Sequence, residues 1–240
     1  MASLILVRHG QSTWNLQNRF TGWVDVDLSE LGIKEAEKSG ELIKSLDLDV
    51  SLYFTSCLKR AIKTLEIILN VLKIDNPNII KAWELNERHY GDLTGLNKQE
   101  ARKQLGEEQV KKFRRSWNIP PPPIRENNEN NIRNNTFYDK IPIEKIPVTE
   151  SLKDTYNRVI PYFEKEIEKH IKKNKNVLIA AHGNSLRVLC KKILKISDVK
   201  ISELEIPTGN PLIIDFANNL EVVNYKYLDQ ERKLNIIFNK

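Results

Sequence analysis

Two histidines far apart in this chain occupy the same kind of place. Leu4-Ile5-Leu6-Val7 runs an apolar strand into Arg8-His9-Gly10, and Val177-Leu178-Ile179-Ala180-Ala181 runs another into His182-Gly183. Polar helix starts follow both turns, Gln11-Ser12-Thr13 and Asn184-Ser185. Two buried strands that each end in His-Gly can bring two imidazoles to one sheet edge, and open α/β sheets bind ligands at the carboxyl ends of their strands. A single turn of this kind is more often structural; the pair favours catalysis. Paired imidazoles ringed by arginines suit capture of a phosphoryl group on a histidine and its transfer onward. The acceptor must be a neutral imidazole with one nitrogen facing phosphorus and the other held by a hydrogen bond. Cations must offset the phosphoryl charge, and Arg8 and Arg60 are candidates because a guanidinium matches phosphate bidentately.

A third segment, Leu85-Asn86-Glu87-Arg88-His89-Tyr90-Gly91, is dense in titratable groups. It reads either as a surface loop or as part of the site. In the second case Glu87, a carboxylate near two imidazoles and an incoming anion, is the candidate general acid and base toward a substrate hydroxyl. His89 is given a packing or hydrogen-bonding role only. Arg114-Arg115 follow Lys111-Lys112 near a helix end. They read equally as cations complementing the helix dipole or as a clamp for a substrate carboxylate or second phosphate.

The elements that must position these groups alternate. Strands are expected at 4–9, 50–54, 79–80, 177–181, 212–216 and 221–227. Helices are expected from Ser29-Glu30 to Leu46, over 57–72, 97–112, 151–172 with a kink at Pro161, and 184–195. This order predicts an α/β three-layer sandwich with a mostly parallel central sheet flanked by helices. The 240 residues fit one domain, 1–240. One stretch, about 119–147, breaks the rhythm. It opens on Pro120-Pro121-Pro122-Pro123 and is rich in Asn, so it reads as an inserted, partly mobile loop poor in core residues.

Composition excludes several classes. No apolar run approaches the ~20 residues of a membrane span. Met1-Ala2-Ser3 enters the first strand at once, leaving no room for a signal peptide and favouring a cytoplasmic location. The net charge is +6, but the lysines are scattered without interleaved aromatics, so most belong to solvated helix faces and not to a nucleic-acid surface. Cys57 and Cys190 form no disulfide framework and no metal cluster; both are read as reduced packing residues.

Assembled, these segments closely resemble the cofactor-dependent phosphoglycerate mutases of the histidine phosphatase superfamily, from about Leu4 to Leu228. The resemblance is carried by Leu6–Gly10 through Asn15, Asn18–Trp23, Thr55-Ser56, Leu58–Ala61, Leu85–Gly91 and Gly95–Lys98. It continues through Glu107–Trp117, Thr149–Leu152, Ala180–Arg187 and Ile206–Gly209. It implies that His9 is the phosphohistidine nucleophile, Glu87 the proton donor and acceptor, and His182, Arg8 and Arg60 the groups that stabilise the transferring phosphoryl. Asn15, Thr21 and Gly22 would line the phosphate site. Arg88, Tyr90, Lys98, Arg114, Arg115, Gly183 and Asn184 would hold the rest of the substrate. The implied activity is interconversion of 3-phosphoglycerate and 2-phosphoglycerate, primed by 2,3-bisphosphoglycerate and without a metal. The implied partners are small-molecule phosphoglycerates, with no nucleic acid or membrane; homodimer and homotetramer both stay open.

Alternatives are a histidine phosphatase acting on small phosphomonoesters, a bisphosphoglycerate synthase and a non-catalytic basic binding protein. Gly22 argues against the synthase, whose members carry Ser there, and both histidines with Glu87 argue against the last. Gln11, Asp92 and Asn210 depart from the family pattern. The chain ends at Lys240, soon after Tyr227-Leu228, without the longer Lys- and Gly-bearing tail of many relatives. The expected consequence is easier entry of water to the phosphoenzyme.

Overall fold

A run in which every residue is apolar suits a strand covered on both faces. The computed structural model, which describes residues 1–233, shows this for the two strands that end in His-Gly. The chain runs β1 (Ala2–Arg8), α1 (Thr13–Leu16), α2 (Glu30–Lys44), β2 (Val50–Thr55), α3 (Lys59–Val71), β3 (Ile79–Lys81), α4 (Lys98–Leu105) and α5 (Glu107–Arg115). It continues through α6 (Leu152–Tyr162), α7 (Glu168–Ile171), β4 (Asn176–Ala181), α8 (Gly183–Ile193), β5 (Leu212–Phe216) and β6 (Val222–Tyr227). The sheet order is β3-β2-β4-β1-β5-β6. The pairs β3–β2, β2–β4 and β4–β1 are parallel, and β5 runs antiparallel to both β1 and β6.

Successive side chains of a strand point to opposite faces. Leu4 and Leu6 of β1, with Val177, Ile179 and Ala181 of β4, therefore face α6, α7 and α8, where Val159, Ile171 and Leu189 complete one core. Ile5 and Val7, with Leu178 and Ala180, face α2 and α3, where Ile43, Leu65 and Ile68 complete the second. The three-layer arrangement expected from the element order is the one observed.

The register of β1 on β4 places Arg8 opposite Ala181, and His9 N donates to Ala181 O at 2.9 Å. The two His-Gly turns thus leave the sheet side by side. The first turn packs directly on α2. A Cβ on Gly10 would lie 2.1 Å from Gly32 O, and one on Gly32 would lie 2.0 Å from Gln11 O. Glycine at both positions is what lets the chain after β1 approach α2.

The expected helix over 97–112 is two helices, broken at Gly106, whose φ of 84° no L side chain adopts readily. The expected helix over 151–172 keeps its capping box, Ser151 with Asp154, and runs through Pro161. It then widens into a π turn over Phe163–Ile167, so the irregularity follows the proline instead of sitting at it.

The Asn-rich insertion differs from its expectation. Ile124, Ile132, Tyr138 and Ile146 are buried, and the last three pack with Trp23 and Leu58 into a small core of their own. The asparagines serve as turn residues: Asn131 Oδ1 accepts from Arg133 N at 3.1 Å and Asn135 Oδ1 from Phe137 N at 2.9 Å. Asp92 ties the segment down through Arg125 Nε at 2.9 Å and Asn128 Nδ2 at 3.0 Å. Asn210 brackets the chain after β6, its side chain bonding both Asp229 N and Asp229 O at 3.0 Å. The end of the chain discussed above, from residue 234, lies outside the described residues.

Candidate active site

The turn after β1 fixes the His9 ring. Its Nδ1 lies 2.7 Å from Gly10 O, an acceptor only, so Nδ1 carries the proton and Nε2 presents its lone pair. Arg60 Nε donates to that lone pair at 3.3 Å. Arg60 is buried and held by Val24 O and Gly22 O at 2.9 and 2.7 Å. Burial draws its pKa down to about 10, which leaves it charged at neutral pH. Burial, then the Arg60 and Arg8 cations, hold the His9 pKa well below its ordinary value. Arg8 reaches over from the end of β1 and donates from Nη1 to Ile206 O at 2.8 Å.

α3, which carries Arg60, has no cap of its own at Leu58. Its first N–H groups are instead received by Ser56 Oγ at 3.1 Å and by Asp25 Oδ1 at 2.6 Å. The second imidazole is buried beneath the first: the His9 and His182 ring centroids are 5.0 Å apart, edge to face at 63°. Ser56 Oγ lies 2.7 Å from His182 Nε2. Burial, then Arg60, His9 and Arg8, keep His182 well below the ordinary histidine range.

Glu87 enters from the loop after β3. Its Oε1 accepts from Arg88 N at 2.7 Å and from Asn184 N, in the first turn of α8, at 3.2 Å. A Cβ at Gly183 would sit 3.4 Å from Arg8 Nε and 3.7 Å from Glu87 Oε2, so this glycine leaves room where the guanidinium and the carboxylate converge. Asn184 Nδ2 donates to Tyr90 Oη at 3.1 Å and its Oδ1 accepts from Arg187 Nη1 at 3.0 Å.

These groups surround one cavity of about 210 Å³. Of the residues singled out in the sequence, Arg8, His9, Asn15, Thr21, Gly22, Arg60, Glu87, Tyr90, Lys98, Arg114, Arg115, Gly183 and Asn184 line it. Two do not. His182 lies under His9, and Arg88 lies wholly buried behind Tyr90, its guanidinium 4.8 Å from the Tyr90 ring and bonded to Arg114 O at 3.0 Å. Arg19, Phe20, Arg187, Glu205 and Ile206 line the cavity as well. Arg187 follows Asn184 by three residues on α8, the helical spacing that shares a face, and this signal would have found it. Arg115 pairs with Glu205 at the rim. Gln11 is not in the wall; its side chain turns to Ser29 Oγ at 2.9 Å.

The cavity carries seven Arg and Lys side chains against Glu87 and Glu205. Arg8 Nε and Thr21 Oγ1 in its wall are buried and have no hydrogen-bond partner among the described residues. An anion supplies the acceptor that the guanidinium lacks, so the cavity is chemically suited to phosphorylated ligands. Among the described residues no group of three or more His, Cys, Asp or Glu is placed to hold a metal ion.

Residues 4–226 match the histidine phosphatase superfamily, branch 1. The chain belongs to that superfamily. It is 51% identical over 237 residues to the 2,3-bisphosphoglycerate-dependent phosphoglycerate mutase of Pelagibacter ubique, covering 99% of each chain. It is 48% identical over 233 residues to the protein of the same name from Maricaulis maris, covering 97% of this chain and 96% of that one. Among solved structures, a mycobacterial glucosyl-3-phosphoglycerate phosphatase superposes with a TM-score of 0.70 at 20% identity, over 95% of this chain and 97% of that one. Bacillus stearothermophilus YhfR superposes with 0.68 at 22%, over 90% and 92%. These superpositions show that the superfamily fold is shared.

Three buried imidazoles give this superfamily member a pH signature. His9, His182 and His89 are held neutral, His89 with its pKa drawn down to about 3 by burial and then by Arg158 and Arg133. In the unfolded chain they titrate near 6.5. Below that pH the unfolded state binds more protons, so their contribution is complete above pH 6.5 and is lost as pH falls. The loss is up to about 1.4 kcal/mol per pH unit for each. The urea midpoint is therefore expected to hold from pH 7.5 to 6.5 and to drop from 6.5 to 5.5, above the range where carboxylates titrate. A midpoint unchanged at 5.5 would show that the imidazoles are not held neutral.

Proposed function

We propose that this chain is a cytoplasmic phosphoglycerate mutase that interconverts 3-phosphoglycerate and 2-phosphoglycerate through a phosphoryl group carried on His9 Nε2. The observation that carries the reading is the conjunction in one cavity of a neutral imidazole, its lone pair facing Arg60, with Glu87 and a wall of cations. The close similarity to mutases over nearly the whole chain supports the same reading.

In this mechanism His9 Nε2 attacks phosphorus while Arg8 and Arg60 offset charge on the phosphoryl oxygens and His182 supports the ring from below. Glu87 gives a proton to the departing substrate oxygen and takes one from the incoming hydroxyl. Tyr90, Lys98, Arg114, Arg115 and Asn184 hold the remainder of the phosphoglycerate while its two hydroxyl positions exchange places. The priming donor, 2,3-bisphosphoglycerate, fits the same cations and supplies the phosphoryl group that first loads His9. Phosphoryl transfer asks a protein chiefly for positioning and charge neutralisation, which these side chains supply.

A coupled assay for 2-phosphoglycerate formed from 3-phosphoglycerate tests the reading. Turnover is expected to rise sharply on adding 2,3-bisphosphoglycerate and to survive EDTA, because the cations the reaction needs are side chains. Release of inorganic phosphate with no 2-phosphoglycerate would make the protein a phosphatase instead. Loss of turnover on chelation, with recovery on adding a divalent ion, would remove the arginines from their role.

A further inference from the structure

Glu87 sits on a stretch with little regular structure, between the end of β3 and α4. Trp83–Leu85 and Gly91–Leu93 are single 3-10 turns, and the residues between them have no strand or helix partner. A carboxylate that must give and take a proton at a defined point needs a fixed backbone beneath it. A buried ion pair that the mechanism above does not use supplies one. Arg158 of α6 and Glu150, just before that helix, are bonded at 2.8 and 2.9 Å with side chains 8% and 4% exposed.

Both members spend their remaining bonding capacity on this one loop. Arg158 Nη1 donates to Glu84 O at 2.7 Å and Asn86 O at 3.2 Å, and Nη2 to Glu87 O at 3.3 Å. Glu150 Oε2 accepts from His89 N at 2.8 Å, and Glu150 N donates to His89 O at 3.0 Å. The pair thus grips the chain on both sides of Glu87 and at its own carbonyl. Neither side chain lines the cavity. The guanidinium fork is the right tool, since it can serve a carboxylate and several carbonyls at once, which an ammonium cannot do in the same geometry.

We infer that Arg158 and Glu150 are positioning residues for proton transfer: they set the backbone that aims the Glu87 carboxylate at the substrate oxygen. This rests on the acid–base role proposed for Glu87. A merely structural pair would slow every reaction of the site alike when weakened. A pair that aims a general acid would slow only reactions whose leaving group needs a proton.

The experiment uses single-turnover phosphorylation of His9 from two donors, 2,3-bisphosphoglycerate and p-nitrophenyl phosphate. The first leaves as an alkoxide and needs the proton; the second leaves as a stable phenolate. Arg158→Lys and Glu150→Gln, both mild enough to compare as folded proteins by circular dichroism, are expected to lose ~10- to 100-fold with the bisphosphate. They should stay within about threefold of the parent with the aryl phosphate. Glu87→Gln, run in parallel, is expected to show the same split. If Glu87→Gln shows the split and the pair variants slow both donors equally, or neither, the positioning role is wrong. If Glu87→Gln itself shows no split, the acid–base assignment fails first. If both pair variants prove unfolded, the pair is structural and the inference is overturned.

Discussion

His9→Ala is expected to abolish phosphoryl labelling and to cut mutase turnover by ~10⁴-fold or more, as removal of a nucleophile does when the rest of the site remains. The argument starts from the sheet. β1 and β4 are parallel neighbours, so the two His-Gly turns leave it together and His182 comes to lie against His9. Gly10 O then fixes the tautomer, and Nε2 is left as the His9 ring nitrogen whose lone pair faces Arg60. Incubation with labelled 2,3-bisphosphoglycerate should yield one phosphopeptide, stable in base and labile in acid, containing His9. A label found on another residue would sink the assignment. The pH dependence is a second check. Burial, Arg60 and Arg8 hold His9 neutral, so the rate of labelling at saturating donor should lack the acid limb near pH 6.5 of a free imidazole. An inflection at 6.5 would mean that the nucleophile is solvated, contrary to its place in the fold.

The sequence showed the parts whose signals are local and periodic. Continuous apolar runs marked β1 and β4, Ser29 and Ser151 marked helix starts, and the helical spacing of Leu58, Ala61, Ile62, Leu65, Ile68, Leu69 and Leu72 marked one side of the segment 57–72; all of these but Ile62 and Leu72 are buried. The side-chain directions of the loop 85–91 were not legible, because irregular backbone has no period to read. Glu87 and Arg88 are adjacent in sequence, yet one faces the cavity and the other lies behind Tyr90. Arg19 was inside a recognised stretch, but its place in the wall depends on Gly95 O at 2.6 Å and on stacking over Trp14 at 4.0 Å, both long-range or geometric facts. The insertion misled for a different reason. Its asparagines and prolines together outnumber its apolar residues, so composition said loop. Three apolar residues spaced along it, Ile132, Tyr138 and Ile146, were enough to seat it against Trp23 and Leu58. Asp92 and Asn210, which depart from the family pattern, resolve into anchors of neighbouring segments and not into changes of the cavity wall.

Glu87→Gln is expected to lower turnover ~10²- to 10⁴-fold, the range of a positioned proton-transfer group, while substrate affinity changes by only a small factor. The substitution is nearly isosteric. The amide oxygen can keep the bonds from Arg88 N and Asn184 N, so the loop and the first turn of α8 should hold their places. What is lost is the ability to carry a proton between the two substrate oxygens. Binding should survive because the charge that attracts the ligand comes from the surrounding Arg and Lys side chains; removing one carboxylate from such a wall favours anions slightly. The measurement is kcat and KM for 3-phosphoglycerate at saturating 2,3-bisphosphoglycerate, with phosphate release followed in parallel. Both mutase and phosphatase rates should fall, since each breaks or makes a phosphate ester whose oxygen needs a proton. A fall in affinity with kcat intact would make Glu87 a binding group. Near-normal turnover would remove Glu87 from the acid–base role, and the proton would then have to travel by another group in the wall, such as Tyr90, which is bonded to Asn184.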